Sequence, residues 1–232
     1  MTAALKLLEA LSRSVAETFP SGQDQDEPLR VAEALLFVSA EPMNVDDLAS
    51  RLPADADVPS IVDELARAYA GRGVNLVRVA GGWAFRTAED LAGALAQEAP
   101  STQKLSSAAM EVLAIVAYHQ PTTRAEIEAI RGVSASKGTL DTLIKTGWVR
   151  LRGRRRAPGR PVTYGTTPTF LNQFGLDAIT DLPGLEELKG LGFLEGRVPT
   201  DMAMPIPSDV SALGPDEDPL EPDLLSVTPF ET

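Results

Sequence analysis

No cysteine occurs in the 232 residues, which removes disulfides, thiolate nucleophiles and every cysteine-based metal site. Histidine is nearly absent as well. His119 is the one imidazole, so a histidine pair for a metal has no second member. It ends a helix-like stretch, where an imidazolium gains from the helix dipole, and a structural role is expected of it. Long apolar stretches are missing: the longest, Val112 to Tyr118, falls far short of the ~20 residues that span a bilayer. The N-terminus lacks the charged, apolar and small-residue succession of a signal peptide. A soluble, cytoplasmic chain without membrane attachment is the expectation. Carboxylates are scattered over helical faces without an inward-facing pair, and Gly71 with Gly73 does not complete a phosphate-binding loop. No catalytic residue, metal ligand or cofactor is expected, and the chain does not read as an enzyme.

Basic side chains are absent from residues 199–232, which carry eight acidic ones and seven prolines; such a composition favours disorder. Charge elsewhere is also unevenly placed. The net charge is −12, yet residues 101–175 alone sum to +7, against −5 for residues 29–100. Charge by segment, not the acidic total, bears on partners.

The block from Leu105 to Gly175 organises the chain. Ser106 and Ser107 precede an apolar set at Ala109, Val112, Leu113 and Val116 on one helical face, and Gln120-Pro121 stops that helix. Thr123 with Glu126 is a capping box opening a second helix that carries Ile127 and Ile130 and ends at Gly132. Ser134 or Ser136 opens a third, with Leu140, Leu143 and Ile144 inward and Gly147 closing it. The period then changes to alternation, with Val149 and Leu151 opposite Arg150 and Arg152. A loop over 153–161 and a strand at Val162 to Thr166 follow. Three helices and a two-stranded ribbon describe a winged helix, with the Arg-rich loop as its wing.

The preceding segment repeats the order. A helix from Pro28 to about Ser39 places Val31, Ala34, Leu35 and Val38 on one face and Leu29, Ala32 and Leu36 on nearly the opposite one. A helix apolar on two sides must be covered twice, so Leu29, Ala32 and Leu36 are candidates for a dimer face. Asn44 caps a second helix and Pro59 starts a third. A hairpin over 74–86 turns at Gly81-Gly82, and Thr87 caps a further helix to about Gln97. The fold class expected is mainly α with small β-hairpins (α+β), two tandem winged-helix domains with disordered tails. The boundaries are 1–28 for an N-terminal extension that begins as an amphipathic run, 29–99 and 101–175 for the two domains, 176–198 for a short helical extension and 199–232 for the acidic tail.

Arg150, Arg152, Arg154, Arg155, Arg156 and Arg160 lie within eleven residues. Guanidinium groups suit phosphate or carboxylate partners through forked hydrogen bonds, although a solvated turn balancing an acidic chain is the bland alternative. The helix from Ser136 to Thr146 has no Asn, Gln or Arg to read base edges, so DNA contact is expected to be weak and non-specific at most. Ser134-Ala-Ser-Lys137 and Lys145-Thr-Gly147 match parts of the penicillin-recognising signature, but they sit on one short helix without its S-D-N element. The opposite charges of tail and ribbon suggest that the tail competes with partners for the arginines.

Three separated stretches, LSSAAMEVLAIVAYHQPTTRAEIEAIRG, GRRRAPGRPVTYGTTPTFLNQFGL and DLPGLEEL, resemble the segregation and condensation protein B family, over roughly Leu29 to Phe193. Thr122 departs from it, standing where the family more often has Ile. The resemblance implies a non-enzymatic homodimer formed through the N-terminal winged helix. It would bind the kleisin ScpA directly and the SMC ATPase through it, for chromosome condensation and segregation at the nucleoid. Motif positions implied as partner contacts are Tyr118, Gln120, Pro121, Thr123, Arg124, Arg160, Pro161 and Tyr164. A winged-helix DNA-binding regulator is the alternative.

Overall fold

The computed structural model describes residues 27–95, 105–134, 136–184, 187–188, 205, 207 and 212–220. The amphipathic run near the N-terminus, the joint expected at 100–102 and the remainder of the acidic tail lie outside these residues. Helices and small antiparallel sheets make up the described chain. Its apolar residues gather in two separate cores.

The first core is built from α1 (Glu27–Val38), α2 (Val45–Ala49), α3 (Val58–Tyr69) and the hairpin β1 (Val74–Val79) with β2 (Gly82–Thr87). The Asn44 side chain accepts the Asp47 amide at 2.7 Å and caps α2. Asp57 caps α3, which starts one residue earlier than expected and leaves Pro59 in its first turn, where no amide is needed. The hairpin turns at Ala80-Gly81, both with positive φ (53° and 76°), the primed geometry that matches strand twist. Gly82, expected in the turn, is a strand residue instead. A Cβ there would sit 3.0 Å from the Met43 backbone, which bridges to Trp83. Thr87 does not cap a helix either: it closes β2 opposite Val74, and a 3-10 turn (Glu89–Leu91) leads into α4 (Ala92–Leu95) without a side-chain cap.

This core claims the side of α1 that periodicity left for a second copy. Ala32 is fully buried and Leu36 is 3% exposed, both against the chain's own α3 and hairpin, and Leu29 packs on the same cluster. Of the residues expected at a dimer surface (Leu29, Ala32 and Leu36), Ala32 and Leu36 are therefore withdrawn by their burial, while Leu29 is half-buried on the same side. The outward face is the other one, with Val31, Phe37 and Val38 at 36%, 81% and 77% exposure. Helical period shows that two faces are apolar; only tertiary packing decides which one turns inward.

The second core is built from α5 (Ser107–His119), α6 (Arg124–Arg131), α7 (Lys137–Lys145), the ribbon β4 (Val149–Arg155) with β5 (Val162–Thr166), and α8 (Pro168–Phe174). The expected caps are present. Ser106 accepts the Ala109 amide, Thr123 and Glu126 close their capping box, Gly132 ends α6 at φ 71°, and Ser136 opens α7. Val112, Leu113, Val116, Ile127, Leu143 and Val149 are at most 2% exposed and form the centre. Two strands were not legible. β3 (Thr122–Thr123) pairs with β5, and β6 (Glu217–Asp218) pairs with β4, giving the order β3-β5-β4-β6. The register slips between Leu151 and Arg154, and β4 runs on to Arg155, inside the stretch expected as loop. The added strand explains the extension, because its backbone pairs opposite Arg154 and Arg155.

The expectation of a wholly disordered tail thus fails for residues 212–220, which lie along the ribbon. The two cores also touch. Ala80 donates its amide to Leu176 O at 2.8 Å, Gly81 donates to Asp177 Oδ1 at 2.9 Å, and Arg78 pairs with Asp177 at 3.0 Å.

Candidate functional site

The residues singled out around the end of α5 divide into framework and surface. The Gln120 Oε1 accepts the Thr166 amide at 2.7 Å and its hydroxyl at 3.1 Å, tying the end of α5 to β5. Gly165 makes this approach possible, since a Cβ there would stand 2.9 Å from Gln120 Oε1 and 2.6 Å from Arg152 Cδ. Pro121, joined to Gln120 by a cis peptide, presents its carbonyl to Arg155 Nη2 at 2.8 Å. Tyr118 donates its hydroxyl to Pro183 O at 2.8 Å, and burial pushes that phenol's pKa up, with Glu187 adding to the rise. Thr123 is buried and serves as the α6 cap; Pro161 accepts the Arg155 amide at 2.9 Å. Thr122 is 1% exposed and directs its hydroxyl to Glu126 Oε2 at 3.4 Å.

Surface chemistry comes from the rest. Arg124 is exposed on α6 and pairs with Glu128 at 3.0 Å. Tyr164 is half-buried on β5 between Thr122 and Leu151. Arg160, at φ 42°, occupies the turn of the ribbon and reaches Asp218 at 3.3 Å. Burial opposes charge on Glu126, yet the Thr123 amide, the Thr123 hydroxyl and Arg155 outweigh it and hold the carboxyl below its ordinary range. Glu126 therefore caps α6 and anchors Arg155 at once (3.1 Å). Replacing it by Ala is expected to cost roughly 1–2 kcal/mol in a denaturant melt, the usual loss for a cap, while Glu126→Gln should retain about half of the contribution. His119, half-buried at the end of α5, has its imidazole pushed down by burial against the opposing pull of Glu126. That is the reverse of the dipole-stabilised imidazolium expected there.

The arginine cluster is not a bare polyanion surface. Arg150 is exposed and donates to Thr166 O at 3.3 Å, and Arg154 donates to Arg160 O at 2.9 Å. The other four meet the tail. Arg155 pairs with Asp216 at 2.6 Å, while Arg156 and Arg160 pair with Asp218 at 2.7 Å and 3.3 Å. Arg152, its side chain only 5% exposed, pairs with Glu217 at 3.3 Å and donates to Ala212 O at 2.7 Å. Glu217 is itself buried, taking the Thr163 hydroxyl at 2.5 Å and the Gly214 amide at 2.8 Å.

Each of the three carboxyls is held below its ordinary pKa. The Arg155 hydrogen bond does this for Asp216 and the Arg156 hydrogen bond for Asp218. At Glu217 burial pushes the other way, but Thr163, Gly214 and Arg152 prevail. A depressed carboxylate contributes attachment that is complete above its free value near 4 and is lost as pH falls through the depressed one. The Gly214 and Glu217 amide NMR signals should hold their docked positions from neutral pH down to about 4 and move to those of a free peptide only below that value. Movement between pH 7 and 5 would contradict the carboxylate assignment.

Among the described residues, no acid, base or nucleophile constellation accompanies these contacts. Ser136 caps one end of α7 and Lys145 stands at the other, about 13 Å away at 1.5 Å per residue, so the penicillin-signature fragments do not meet. A groove of about 310 Å³ between α5 and α7 is lined by small and hydroxyl residues, among them Ser106, Ala109, Thr139 and Thr142. None of its lining residues titrates near neutral pH. Among the described residues no three His, Asp or Glu side chains gather as a metal site, and no helix is long and apolar enough to cross a membrane.

The family model described as "Segregation and condensation complex subunit ScpB" matches residues 30–185. The segregation and condensation protein B of Moorella thermoacetica is 47% identical over 165 residues, 69% of this chain and 84% of that protein. The protein of the same name from Desulforamulus reducens is 42% identical over 167 residues, 70% of this chain and 92% of the relative. The crystal structure of ScpB from Mycobacterium tuberculosis is 35% identical, covering 67% of this chain and 99% of that one, with a TM-score of 0.31. The matched span contains α1 from Arg30 onward, both hairpins and the arginine cluster, and ends before the docked tail. By the family model and the two relatives of the same name, the chain belongs to the segregation and condensation protein B family.

Proposed function

We propose that the chain is a non-enzymatic adaptor of the chromosome condensation and segregation machinery, built of two winged-helix units. It dimerises through the outward face of α1, holds a kleisin of the ScpA type directly, and reaches the SMC ATPase and the nucleoid through that kleisin. The observation carrying this reading is the apolar strip of Val31, Phe37 and Val38, left exposed on a helix whose other face is already filled. Exposed Phe and Val side by side on a charged chain mark a contact surface. The kleisin surface is drawn from Arg124, Tyr164 and Arg160, of which Arg124 is exposed, Tyr164 is half-buried and Arg160 is exposed but paired with the tail, once the framework roles of Gln120, Pro121 and Thr123 are set aside.

Binding of a purified ScpA homologue tests the second part. Arg124→Glu with Tyr164→Ala is expected to weaken it about 10-fold or more, the loss of roughly 1.4 kcal/mol or above, at a temperature where melting shows the variant still folded, because Tyr164 also packs on the second core. Unaltered affinity would remove those residues from the interface. DNA regulation fits less well, because four of the six clustered arginines are paired with the tail. Gel shifts across a salt series should show only binding that fades steeply with salt.

A further inference from the structure

The contact between ribbon and tail has the form of a peptide complex. Residues 216–218 run antiparallel to β4, with Arg154 opposite Asp218 and Arg155 opposite Glu217, and the Arg156 amide donates to Asp216 O at 2.8 Å. The strand passes so close that a Cβ on Gly153 would lie 2.6 Å from Asp218 O and 2.8 Å from Leu213 Cδ2. Glu217 enters a slot formed by Arg152 and Thr163, while Asp216 and Asp218 lie on either side of it against Arg155, Arg156 and Arg160. Backbone pairing supplies attachment and alternate side chains supply selectivity, the logic of strand addition at a sheet edge. A duplex would use the charges but not the backbone ladder or the slot. The receptor side lies within the family match and the occupying segment beyond it.

We infer that the outer edge of β4, with Arg152, Arg155, Arg156 and Arg160, is a receptor site for an extended acidic peptide of a partner polypeptide, and that residues 212–220 occupy it in cis. A partner strand binds only as the tail leaves, so its apparent affinity is reduced by the fraction of chains that are closed. The inference stands apart from the adaptor reading, because its test uses only this chain and a peptide.

The probe is a fluorescein-labelled peptide of residues 210–222, followed by anisotropy. The receptors are the full-length chain and a full-length variant carrying Asp216→Asn, Glu217→Gln and Asp218→Asn. The variant should bind the probe about 10-fold or more tightly than the intact chain, the factor expected if nine chains in ten are closed. A scrambled peptide of equal charge should bind it far more weakly. Equal binding to both chains, binding to neither, or equal binding of the scrambled peptide would overturn the site. So would a duplex of about 20 base pairs that binds the variant more tightly than the peptide does. Gly153→Val, added to the triple variant, retains every arginine but obstructs the strand. It should abolish probe binding, and retained binding would exclude strand pairing. Hydrogen exchange on the intact chain supplies a measure free of mutation: the Arg156 and Glu217 amides should be protected, and exchange at Glu217 as fast as in the isolated peptide, or an unprotected Arg156 amide, would contradict the docking.

Discussion

Phe37→Glu combined with Val38→Glu should leave the chain folded and turn the proposed dimer into a monomer, whereas Leu36→Glu, one residue away, should prevent the first core from forming. The contrast follows from exposure: Phe37 and Val38 are 81% and 77% accessible, and Leu36 is 3% accessible. Fully covering a Phe or Val side chain is favourable by roughly 1.5–3 kcal/mol, and a two-fold interface counts each residue twice. Replacing both by carboxylates removes that gain and sets like charges against each other, so a loss of about 100-fold or more in dimer affinity is expected. Leu36→Glu instead places an unpaired charge among Ala32, Leu48, Val62 and Leu65, a class of change that costs several kcal/mol. Light scattering and thermal melts on the three chains separate the outcomes. A Leu36→Glu chain that melts normally but is monomeric would return the dimer face to the side of α1 now assigned to the core.

Gly165→Val has the second large effect, expected at roughly 2–3 kcal/mol of unfolding free energy, the upper range for overpacking. The new Cβ would meet Arg152 Cδ at 2.6 Å and Gln120 Oε1 at 2.9 Å. Neither neighbour moves cheaply. Arg152 is held between Ala212 O and Glu217, and Gln120 holds the Thr166 amide. One methyl position therefore loosens the link between α5 and the ribbon and disturbs the tail slot together. Urea denaturation should show the loss, and Gly165→Ala should fall between the two. An unaffected midpoint for Gly165→Val would mean that Gln120 and Arg152 are not constrained as described.

The elements most legible in the sequence were those whose signals are local. Ser106, the Thr123–Glu126 box, Gly132 and Ser136 mark helix ends through hydrogen bonds made within three or four residues, and the structure places each in that role. The faces of α1 were legible as apolar but not as inner and outer, because that choice depends on α3 and β2. Gly82 read as a turn residue, since composition does not show that Met43 crosses above it. The docked tail was harder still. Asp-Glu-Asp-Pro has poor strand propensity, and its pairing with β4 spans about sixty positions, so only complementary charge pointed to it. Among the surface residues, Arg124 and Arg160 stand out by charge alone, whereas Gln120 and Thr123 belong to the framework through partners distant in sequence or buried.

The most direct measurement of the central claim is the mass, by light scattering, of the purified chain alone and after mixing with a ScpA homologue. The account predicts a dimer of about 49 kDa, twice the 24.7 kDa chain, and a heavier species containing kleisin once the partner is added. A species of 24.7 kDa that remains unchanged at high concentration and in the presence of the kleisin would contradict it.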